Sequence, residues 1–457
     1  MEKFKSFIVE EKDIEKYRVL VISTEHGDNS ITAERLEDEA KKLGFEFYVV
    51  KMNGSYIKFD NGKYTIHKDD DTKGFELNSD NTVCFMRGTP SRDSYLDLVS
   101  QLERIGIPMV NSRVCLERAA DKYRTYLRLK AFGLDQPKTV LCPSPDAAEI
   151  AFENLDTKFP IILKTLRGSK GIGVLFVESE RSLNSLIQTL YKMDTEADLL
   201  MQEYIKTDYD VRAIVLDGKV VAAMRRNVVE GDFRSNASQG AKVESIELTK
   251  LEIDQCIHAA KSIGGIFTGV DFIPSKNRET QNPLFLEVNS SPGTESIEEA
   301  TGLNISKILL EYFKDKKKRY TVPNDCGYYE SVTIKPFGTM VAKFDTGNSI
   351  NCTLHAEDVK IEGNQVTFKH KDKTYKTKHY GKYTSVTGGG EDDRYIVKYD
   401  MEFAGTMYKG IEFGLDNRER MNTPVLLNRK TMRKLNVIVD PQRRFMVTTK
   451  AEVKEGE

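Results

Sequence analysis

The sequence lacks an excess of charge of one sign, paired cysteines and long apolar runs. Its 457 residues include 68 lysines and arginines against 70 aspartates and glutamates, a balance that gives no reason to expect nucleic-acid binding. The cysteines show no paired spacing, which is typical of reduced thiols in a cytosolic protein. No stretch approaches the ~18 apolar residues that span a bilayer, and the first residues lack the apolar segment of a signal peptide. We therefore predict a cytoplasmic protein without a membrane partner.

Length and composition predict a globular protein of several domains. At ~150 residues per domain the chain has room for about three, and 39% apolar with 30% charged residues is typical of globular proteins. Residues 1–113 alternate strand and helix patterns, beginning with the strand "YRVLVIS" (17–23), and predict a small α/β domain. Residues 314–327 combine a basic run, a proline and turn formers, which predict a linker. The short alternating strands of residues 328–457 predict an all-β domain.

A glycine-rich loop lies between two strand patterns in "FPIILKTLRGSKGIGVLFVES" (159–179). Gly168, Gly171 and Gly173 let backbone N–H groups approach an anion closely, and Lys164 ends the preceding strand at the same place. The pattern differs from a Walker loop and from a dinucleotide fingerprint, because a strand follows the glycines. It predicts a phosphate-binding loop, although an ordinary hairpin gives the same local pattern.

Two further polar segments are candidates for nucleotide contacts. Glu203 and Tyr204 follow an apolar strand, where a carboxylate and backbone groups can meet an adenine ring, but an ordinary strand exit looks the same. The loop "DFRSN" (232–236) concentrates hydrogen-bond donors, and Arg225 and Arg226 lie on the strand before it. A solvated loop is the alternative for this segment.

The strands "FTGVDFI" (267–273) and "PLFLEVNSSPG" (283–293) predict a hairpin that carries a metal site. Glu287 and Asn289 share one face of their strand, and Asp271 on the first strand can lie opposite them. Two carboxylates and an amide oxygen on one face repel each other unless a cation lies between them. Hard oxygen ligands favour Mg²⁺ or Mn²⁺ over zinc. Each acid alone is compatible with an ordinary surface charge.

The triplet Asp345-Thr346-Gly347 follows an apolar strand pattern and is typical of the catalytic loop of an aspartic peptidase. A chain of this length should contain such a triplet on the order of 0.1 times by chance. Aspartic peptidases use two carboxylates that share a proton, whereas the sequence contains one such triplet. Taken alone, the triplet is therefore compatible with a simple turn.

Residues 17–310 resemble the RimK family of ATP-grasp carboxylate–amine ligases, which ligate glutamate to a ribosomal protein. The resemblance rests on "RAADKYR", "KTLRGSKGIGV", "QEYI", "DVR", "VVAAMRR", "EGDFRSN", "GVDF" and "LEVNSSPGTESIEEATG", which occur in the order of the family. It implies an α/β ATP-grasp fold of three subdomains. These are an N-terminal α/β domain (1–113), a central subdomain with the glycine-rich loop (114–205) and a C-terminal subdomain with the metal site (206–313).

The resemblance also implies roles for individual residues and a reaction. ATP would phosphorylate a carboxylate, and an amine would then displace phosphate from the acyl phosphate. The implied cofactors are ATP and two Mg²⁺ or Mn²⁺ ions. The implied residues are Lys122 and Lys164 at the phosphates, Glu203 and Tyr204 at the adenine, Asp210 at the ribose, Arg234, Ser235 and Asn236 at the phosphate and acyl site, with Arg234 stabilising the charge that develops, and Asp271, Glu287 and Asn289 at the metals. Arg87, Arg225 and Arg226 are candidate clamps for an acidic substrate, because guanidinium groups bind carboxylates with two hydrogen bonds, but they can equally be surface charges.

Residues 328–449 resemble the retropepsin-like (RimB-like) domains that occur beside such ligases and are often called ATP-dependent zinc proteases. The resemblance rests on "VAKFDTGNSINCTLHAEDV" and "NRERMNTPVLLNRKTMRKLNVIVDP". In pepsin-like folds an apolar pair followed by glycine packs on the catalytic loop; here Asn428 replaces that glycine, and asparagine can also visit the left-handed region. A single Asp345 per chain implies a homodimer or higher oligomer in which two copies share the catalytic pair. A zinc site of Cys352 with His355, His370 or His379 is a further possibility, without a His-Glu-x-x-His motif to support it.

The combined prediction is a bifunctional protein. Its ligase adds glutamate or a similar acidic amino acid to an acceptor protein or peptide with an acidic terminus, a small-subunit ribosomal protein among the candidates. Its last domain trims or recognises the acidic tail. The alternative is a ligase for a small peptide or natural product, followed by a binding module without catalysis.

Overall fold

The computed structural model describes residues 17–24, 31–61, 63–68, 71–90, 93–166, 173–194, 198–228, 242–315, 318–319, 321, 323–387 and 390–449. The chain divides into two compact units, Met1–Thr321 and Val322–Glu457. The division falls inside the segment 314–327, and the finer domain limits given above stay predictions. Within the described residues, none of the helices is long and apolar enough to cross a bilayer.

The first part of unit 1 is a parallel sheet with helices. Its elements are β1 (Arg18–Ser23), α1 (Ile31–Lys42), β2 (Glu46–Lys51), β3 (Ser55–Asp60), β4 (Lys63–Lys68), β5 (Phe75–Leu77), β6 (Thr82–Arg87), α2 (Asp93–Ile105) and β7 (Met109–Val110). Strands β2, β1, β6 and β7 pair in that order and in parallel, as expected for an α/β domain. Helix α1 packs on them because Ala33, Leu36 and Ala40 recur at helical spacing and are buried. The antiparallel sheet β3-β4-β5 was not predicted from the sequence.

The second part of unit 1 is an antiparallel sheet with flanking helices. Its elements are α3 (Arg113–Ala120), α4 (Lys122–Ala131), β8 (Thr139–Cys142), a 3-10 turn (Pro145–Ala147), α5 (Ala148–Leu155), β9 (Ile161–Thr165), β10 (Val174–Val177), α6 (Glu180–Met193) and β11 (Leu199–Glu203). The strand order is β10-β9-β11-β8. Helix α4 begins sharply because Asp121 accepts hydrogen bonds from the backbone N–H groups of Tyr123 and Arg124. This cap fixes Lys122 at the first helical position.

The third part of unit 1 is a five-stranded antiparallel sheet with helices. Its elements are β12 (Tyr209–Leu216), β13 (Lys219–Asn227), β14 (Val243–Ser245), α7 (Lys250–Ile263), β15 (Phe267–Ile273), β16 (Leu284–Asn289), α8 (Glu295–Thr301) and α9 (Ile305–Lys314). The order is β14-β13-β12-β15-β16, so β15 lies between β12 and β16. Phe272 and Phe285 are buried in one core cluster with residues of α7 such as Cys256 and Ile263. A capping box of Thr249 and Glu252 starts α7.

Unit 2 is rich in strands, as predicted. Its elements are β17 (Asn324–Ile334), β18 (Gly338–Phe344), β19 (Cys352–His355), β20 (Glu357–Glu362), β21 (Gln365–His370), β22 (Lys373–Lys378), β23 (Lys382–Thr387), β24 (Gly390–Phe403), β25 (Thr406–Asp416), β26 (Val425–Leu427), α10 (Arg429–Leu435) and β27 (Val437–Arg444). The main sheet has the order β23-β24-β25-β19-β26-β18-β17-β27, and β20, β21 and β22 form a second sheet. Short β26 lies between β18, its parallel neighbour, and β19, its antiparallel neighbour. This arrangement brings the two sequence motifs of the domain together.

Candidate active sites

The predicted metal ligands of unit 1 lie on neighbouring strands. In the register of β15 and β16, Asp271 pairs with Glu287 and Gly269 pairs with Asn289. The Asn289 amide Nδ2 donates to Glu287 Oε1 at 3.1 Å. The side chain of Glu287 is 39% exposed, whereas that of Asp271 is 3% exposed. The cluster therefore has one accessible carboxylate and one buried carboxylate.

Two arginines neutralise the buried carboxylate. Arg212 on β12 donates from Nε and Nη2 to the two oxygens of Asp271 at 2.7 and 2.6 Å. Arg226 on β13 lies 3.1 Å from Asp271 and donates twice to Asp210, at 2.7 Å each. Burial raises the pKa of Asp271, but the charges of Arg212 and Arg226 outweigh it and hold that pKa well below its usual range. The repulsion that suggested a metal is thus already relieved in part by guanidinium groups.

Two lysines lie within electrostatic range of Glu287. Lys164, on β9, is partly buried, and its Nζ donates to the neutral Oε1 of Gln202 at 2.7 Å. Burial lowers the pKa of Lys164 to about 8, against the opposing effect of Glu287, and nearby Lys122 lowers it further. Burial also lowers the pKa of Lys122, and Glu287 opposes that shift too. The start of α4, the end of β9 and strand β16 therefore bring these three charges together.

The described end of the glycine-rich loop requires glycine. Gly173 has φ +81°, and a Cβ there would lie 2.4 Å from Thr165 Oγ1. Its carbonyl accepts a hydrogen bond from Thr165 N at 3.0 Å, which closes the hairpin next to Lys164. The other residues predicted for the phosphate and acyl site lie outside the described part of the chain; these are Gly168, Gly171, Arg234, Ser235 and Asn236.

The predicted adenine residues lie at the end of β11, on the same sheet as Lys164. Glu203 Oε1 accepts from the backbone N–H of Lys138 at 2.7 Å, and the Glu203 N–H donates to the Lys138 carbonyl at 2.9 Å. The ring of Tyr204 meets the ring of Phe176 edge-on, with the centroids 5.0 Å apart. The adenine roles stay predictions. So does the ribose role of Asp210, whose carboxylate is bonded to Arg226.

The three candidate arginine clamps have different surroundings. Arg225 donates from Nε to Glu244 at 2.7 Å, and its side chain is 41% exposed. Arg226 is buried and bonded to Asp210, as described above. Arg87, at the end of β6, is 6% exposed and donates from Nη1 to the carbonyl of Pro292 at 3.0 Å. Their substrate roles stay predictions, and two of the three guanidinium groups already bind carboxylates of the chain.

The Asp-Thr-Gly loop of unit 2 follows β18 and contacts β26. The N–H of Asp345 donates to the carbonyl of Leu427 at 3.0 Å, and Asp345 Oδ1 accepts from the Gly347 N–H at 2.9 Å. The buried guanidinium of Arg418 lies within electrostatic range: burial lowers its pKa, and the charges of Asp416 and Asp345 oppose that shift. The contact expected between the triplet and the apolar pair is therefore present, and the charge of Arg418, which was not predicted, acts on the same loop at longer range.

Asn428 does not adopt the left-handed conformation considered from the sequence. Its φ of −96° and ψ of 169° are extended, and it caps α10 by accepting from Thr431 N at 2.9 Å. Its Nδ2 donates to the carbonyl of Ile350 at 2.9 Å, and Arg429 N donates to the carbonyl of Asn348 at 2.9 Å. An asparagine in place of the glycine therefore ties the loop after Asp345 to α10, which is a hydrogen-bonding role rather than a conformational one.

The residues of the conceivable zinc site have other partners. Cys352 Sγ lies 3.4 Å from Asn428 Oδ1 and 3.0 Å from Thr431 Oγ1. His355 Nδ1 accepts from Arg418 N at 2.9 Å, so its Nε2 carries the proton and donates to Glu357 at 3.1 Å. In the part of the chain that the structure describes, no group of three or more His, Cys, Asp or Glu side chains is arranged to hold a metal ion. The unit 1 cluster contains only two such side chains, Asp271 and Glu287, because its third member is the amide of Asn289.

Sequence comparisons match both units. Residues 119–313 match the RimK-like ATP-grasp domain, and residues 326–450 match the retropepsin-like aspartic endopeptidase RimB. A probable alpha-L-glutamate ligase of Teredinibacter turnerae is 32% identical over 299 residues, which are 65% of this chain and 95% of that protein. The protein of that name from Methanococcoides burtonii is 33% identical over 289 residues, which are 63% of this chain and 92% of that protein.

Structural comparisons find the ATP-grasp fold. The ATP-grasp ligase PsnB, solved with a minimal precursor, has a TM-score of 0.51 at 19% identity and covers 66% of this chain and 99% of its own. The macrocyclase MdnC of Microcystis aeruginosa, solved with its precursor peptide MdnA, has a TM-score of 0.50 at 14% identity and covers 64% and 98%. The predicted fold class, ATP-grasp followed by an all-β domain, is confirmed.

Proposed function

Because the chain belongs to the family of probable alpha-L-glutamate ligases, with a RimK-like ATP-grasp domain followed by a RimB-like domain, we propose that it ligates glutamate to a peptide or protein carboxylate. The observation that carries this proposal is the convergence of Lys164, Lys122 and Glu287 beside Asp271 and Asn289. Cations for a polyphosphate and oxygen ligands for a divalent metal then meet at one place.

The residues fit both cofactors of an ATP-grasp ligase. An ammonium group whose hydrogen-bond partner is the neutral Gln202, and whose pKa burial lowers to about 8, suits an anionic ligand such as a phosphate. Glu287 and Asn289 supply hard oxygen donors, the kind that Mg²⁺ or Mn²⁺ prefers. Asp271 makes two contacts with Arg212 and one with Arg226. Because a carboxylate has about four lone-pair sites, one site remains for a metal ion. We assign Lys164 and Lys122 to the phosphates and Asp271, Glu287 and Asn289 to the metal.

The chain's own groups would orient the reactants rather than form covalent bonds. The divalent metal, when bound, would neutralise charge on the phosphate oxygens as the phosphoryl group passes to the acceptor carboxylate. Lys164 would hold the phosphates, and the ion pairs of Arg212 and Arg226 fix the position of Asp271. We keep Glu203, Tyr204 and Asp210 as the proposed adenine and ribose contacts, and Gly168, Gly171, Gly173, Arg234, Ser235 and Asn236 as the proposed phosphate and acyl site.

The test of ligation is direct. Incubation with ATP, Mg²⁺, glutamate and a set of peptide and protein acceptors should give products that increase in mass by whole glutamyl residues, together with ADP. Replacing Mg²⁺ by Mn²⁺ tests the metal preference. An acceptor set that includes short natural-product precursors separates this function from the alternative, ligation of a small peptide. Absence of ADP release with every amino acid would exclude the proposal.

The pKa of Lys164 predicts a proton uptake that accompanies ATP binding. In the free protein this pKa lies at about 8, below the usual lysine value, and a bound phosphate favours the charged ammonium and raises it again. Binding should therefore take up a proton at about pH 9, and the affinity for ATP should fall as the pH rises through about 8. Titration calorimetry in buffers of different ionisation enthalpy measures this uptake.

A conservative variant serves as the control for this titration. Lys164→Arg keeps the positive charge at every pH of the experiment, so it should bind ATP without the additional proton. An equal proton uptake by the variant and by the unaltered protein would contradict the assignment of Lys164.

For unit 2 we propose an aspartic peptidase that trims acidic tails as a homodimer or higher oligomer, with Asp345 of two copies as the catalytic pair. The supporting observations are the contact of Asp345 with Leu427 and the buried Arg418 in electrostatic range of Asp345. The positive charge of Arg418, in electrostatic range of Asp345, would favour a glutamyl side chain of the substrate over an apolar one. A binding module without catalysis is the alternative, and separate measurements of tail trimming and tail binding distinguish the two.

A further inference from the structure

Arg87 is a buried arginine without a carboxylate partner in the described residues. It is 6% exposed, its Nη1 donates to the backbone carbonyl of Pro292, and its buried Nε makes no hydrogen bond to the described chain. Arg212 and Arg226, near the acid cluster, each bind a carboxylate with two hydrogen bonds, and Arg225 is bonded to Glu244. The surroundings of Arg87 therefore differ from those of the other arginines near the site.

Glu295 is the acidic residue whose charge acts on Arg87, and its carboxylate already accepts hydrogen bonds from another residue. Glu295 Oε1 accepts from both the backbone N and the Oγ1 of Thr32, at 3.0 Å each, at the start of α1. Burial lowers the pKa of Arg87 to about 10, and the charge of Glu295 opposes only part of that shift. A buried charge that is compensated only in part is costly. Such a cost is typical of a site that receives an anion from outside the chain.

Hydrogen bonds connect Arg87 to the end of β16. The N–H of Gly88 donates to Ser291 Oγ at 3.1 Å, and Ser291 Oγ donates to the carbonyl of Met86 at 3.1 Å. Ser291 follows Asn289 of the acid cluster by two residues. Gly88 has φ +86°, and a Cβ there would lie 2.2 Å from Thr24 Oγ1, so the backbone at this junction requires glycine. These bonds hold Arg87 next to the segment that follows β16, the strand that carries Glu287 and Asn289.

We propose that Arg87 binds a carboxylate of the amino acid that the ligase adds. The inference rests on the proposed ligase function and extends it to a substrate-binding residue. The phosphate end of the site has Lys164 and Lys122, so Arg87 remains for a carboxylate, which a guanidinium group binds with two parallel hydrogen bonds. Arg225 and Arg226 then act within the chain, through Glu244 and Asp210.

Steady-state kinetics of Arg87→Gln and Arg87→Lys test this proposal. The KM for glutamate should rise about 10- to 100-fold in Arg87→Gln, since hydrogen bonds to charged groups are of that strength, while the KM for ATP stays the same. The KM of Arg87→Lys for glutamate should lie between those of the unaltered protein and Arg87→Gln, because lysine keeps the charge but cannot form the two parallel hydrogen bonds. Two glutamate analogues identify the carboxylate: 4-aminobutyrate lacks the α-carboxylate, and 2-aminobutyrate lacks the side-chain carboxylate. The unaltered protein should reject both, and Arg87→Gln should lose its preference for glutamate over one of them.

Arg128→Gln is the matched control, because Arg128 also donates to a single backbone carbonyl, that of Ser262, at 3.0 Å. It should leave the KM for glutamate unchanged. Substrate-free Arg87→Gln should melt no lower than the unaltered protein, since it removes a buried unpaired charge; a lower Tm with an unchanged KM would indicate a structural role and overturn the proposal. Equal use of glutamate and both analogues by the unaltered protein would overturn it even if the variants failed to fold. No ligation by the unaltered protein would instead reject the ligase function itself.

Discussion

Replacing Glu287 by glutamine should lower the rate of ligation about 100- to 1,000-fold, because metal charge stabilisation is worth several kcal/mol and each ~1.4 kcal/mol is a factor of ten. Glutamine keeps the size of the side chain and one oxygen, but it removes the negative charge that holds a divalent cation. Glu287 is the better position for this test because its side chain is 39% exposed. ADP release at saturating ATP, measured across a Mg²⁺ titration, should show both a lower maximal rate and a higher Mg²⁺ requirement.

The choice of Glu287 over Asp271 follows from the ion pairs. Removing the charge of Asp271 would leave Arg212 with only the longer 3.9 Å pairing to Glu287, and Arg226 with one of its two carboxylates. Such a loss typically costs about 3–5 kcal/mol of stability, so inactivity would not distinguish catalysis from unfolding.

Glu117→Gln is the matched control for Glu287→Gln. Its side chain is 31% exposed and pairs with Arg113, also on α3, at 3.0 Å. This variant should keep full activity and the normal Mg²⁺ dependence. A Glu287→Gln protein with the normal Mg²⁺ dependence would remove Glu287 from the metal site.

The resemblance to the RimK family implied the fold, and local strand patterns predicted which residues form the acid cluster. Strand alternation placed Glu287 and Asn289 on one face, and a hairpin placed Asp271 opposite, as the register shows. The sequence did not predict Arg212 as the partner of Asp271, because that contact depends on β12 lying next to β15, and strand order is not a local property. Arg212 nevertheless lies in the "DVR" motif, two residues after Asp210, and that motif was the available signal.

Asn428 shows a second limit of the sequence. The replacement of a family glycine suggested a conformational role, and only the structure reveals the hydrogen bonds from its side chain to Ile350 and Thr431. Arg418 is similar, because no spacing relates it to Asp345. Asp345 follows β18 and Arg418 follows β25, and the pairings β18–β26, β26–β19 and β19–β25 put the ends of these strands in one sheet. The role of a side chain where strands meet depends on tertiary contacts. Secondary-structure propensity and hydrophobic periodicity do not predict those contacts.

Replacing Asp345 by asparagine should lower the trimming of a preformed polyglutamate tail by roughly 10²- to 10⁴-fold, the usual contribution of a positioned acid–base group. Asparagine keeps the oxygen that accepts from the Gly347 N–H, so the loop should stay folded. Asp400→Asn is the matched control, because Asp400 Oδ1 also accepts one glycine N–H, that of Gly410, at 2.9 Å. Mass spectrometry of the tail measures trimming, and a pull-down on immobilised tail measures binding.

The same variant tests whether two copies share one site. The unaltered protein and Asp345→Asn are mixed in equal amounts and re-equilibrated. If each active dimer needs Asp345 from both chains, the mixture should keep about a quarter of the activity of the same total amount of unaltered protein, because random pairing gives that fraction of unaltered dimers. A site complete within one chain would leave about half. Tail binding without trimming by the unaltered protein would identify unit 2 as a binding module, since the cation at Arg418 suits an acidic tail whether or not Asp345 acts on it.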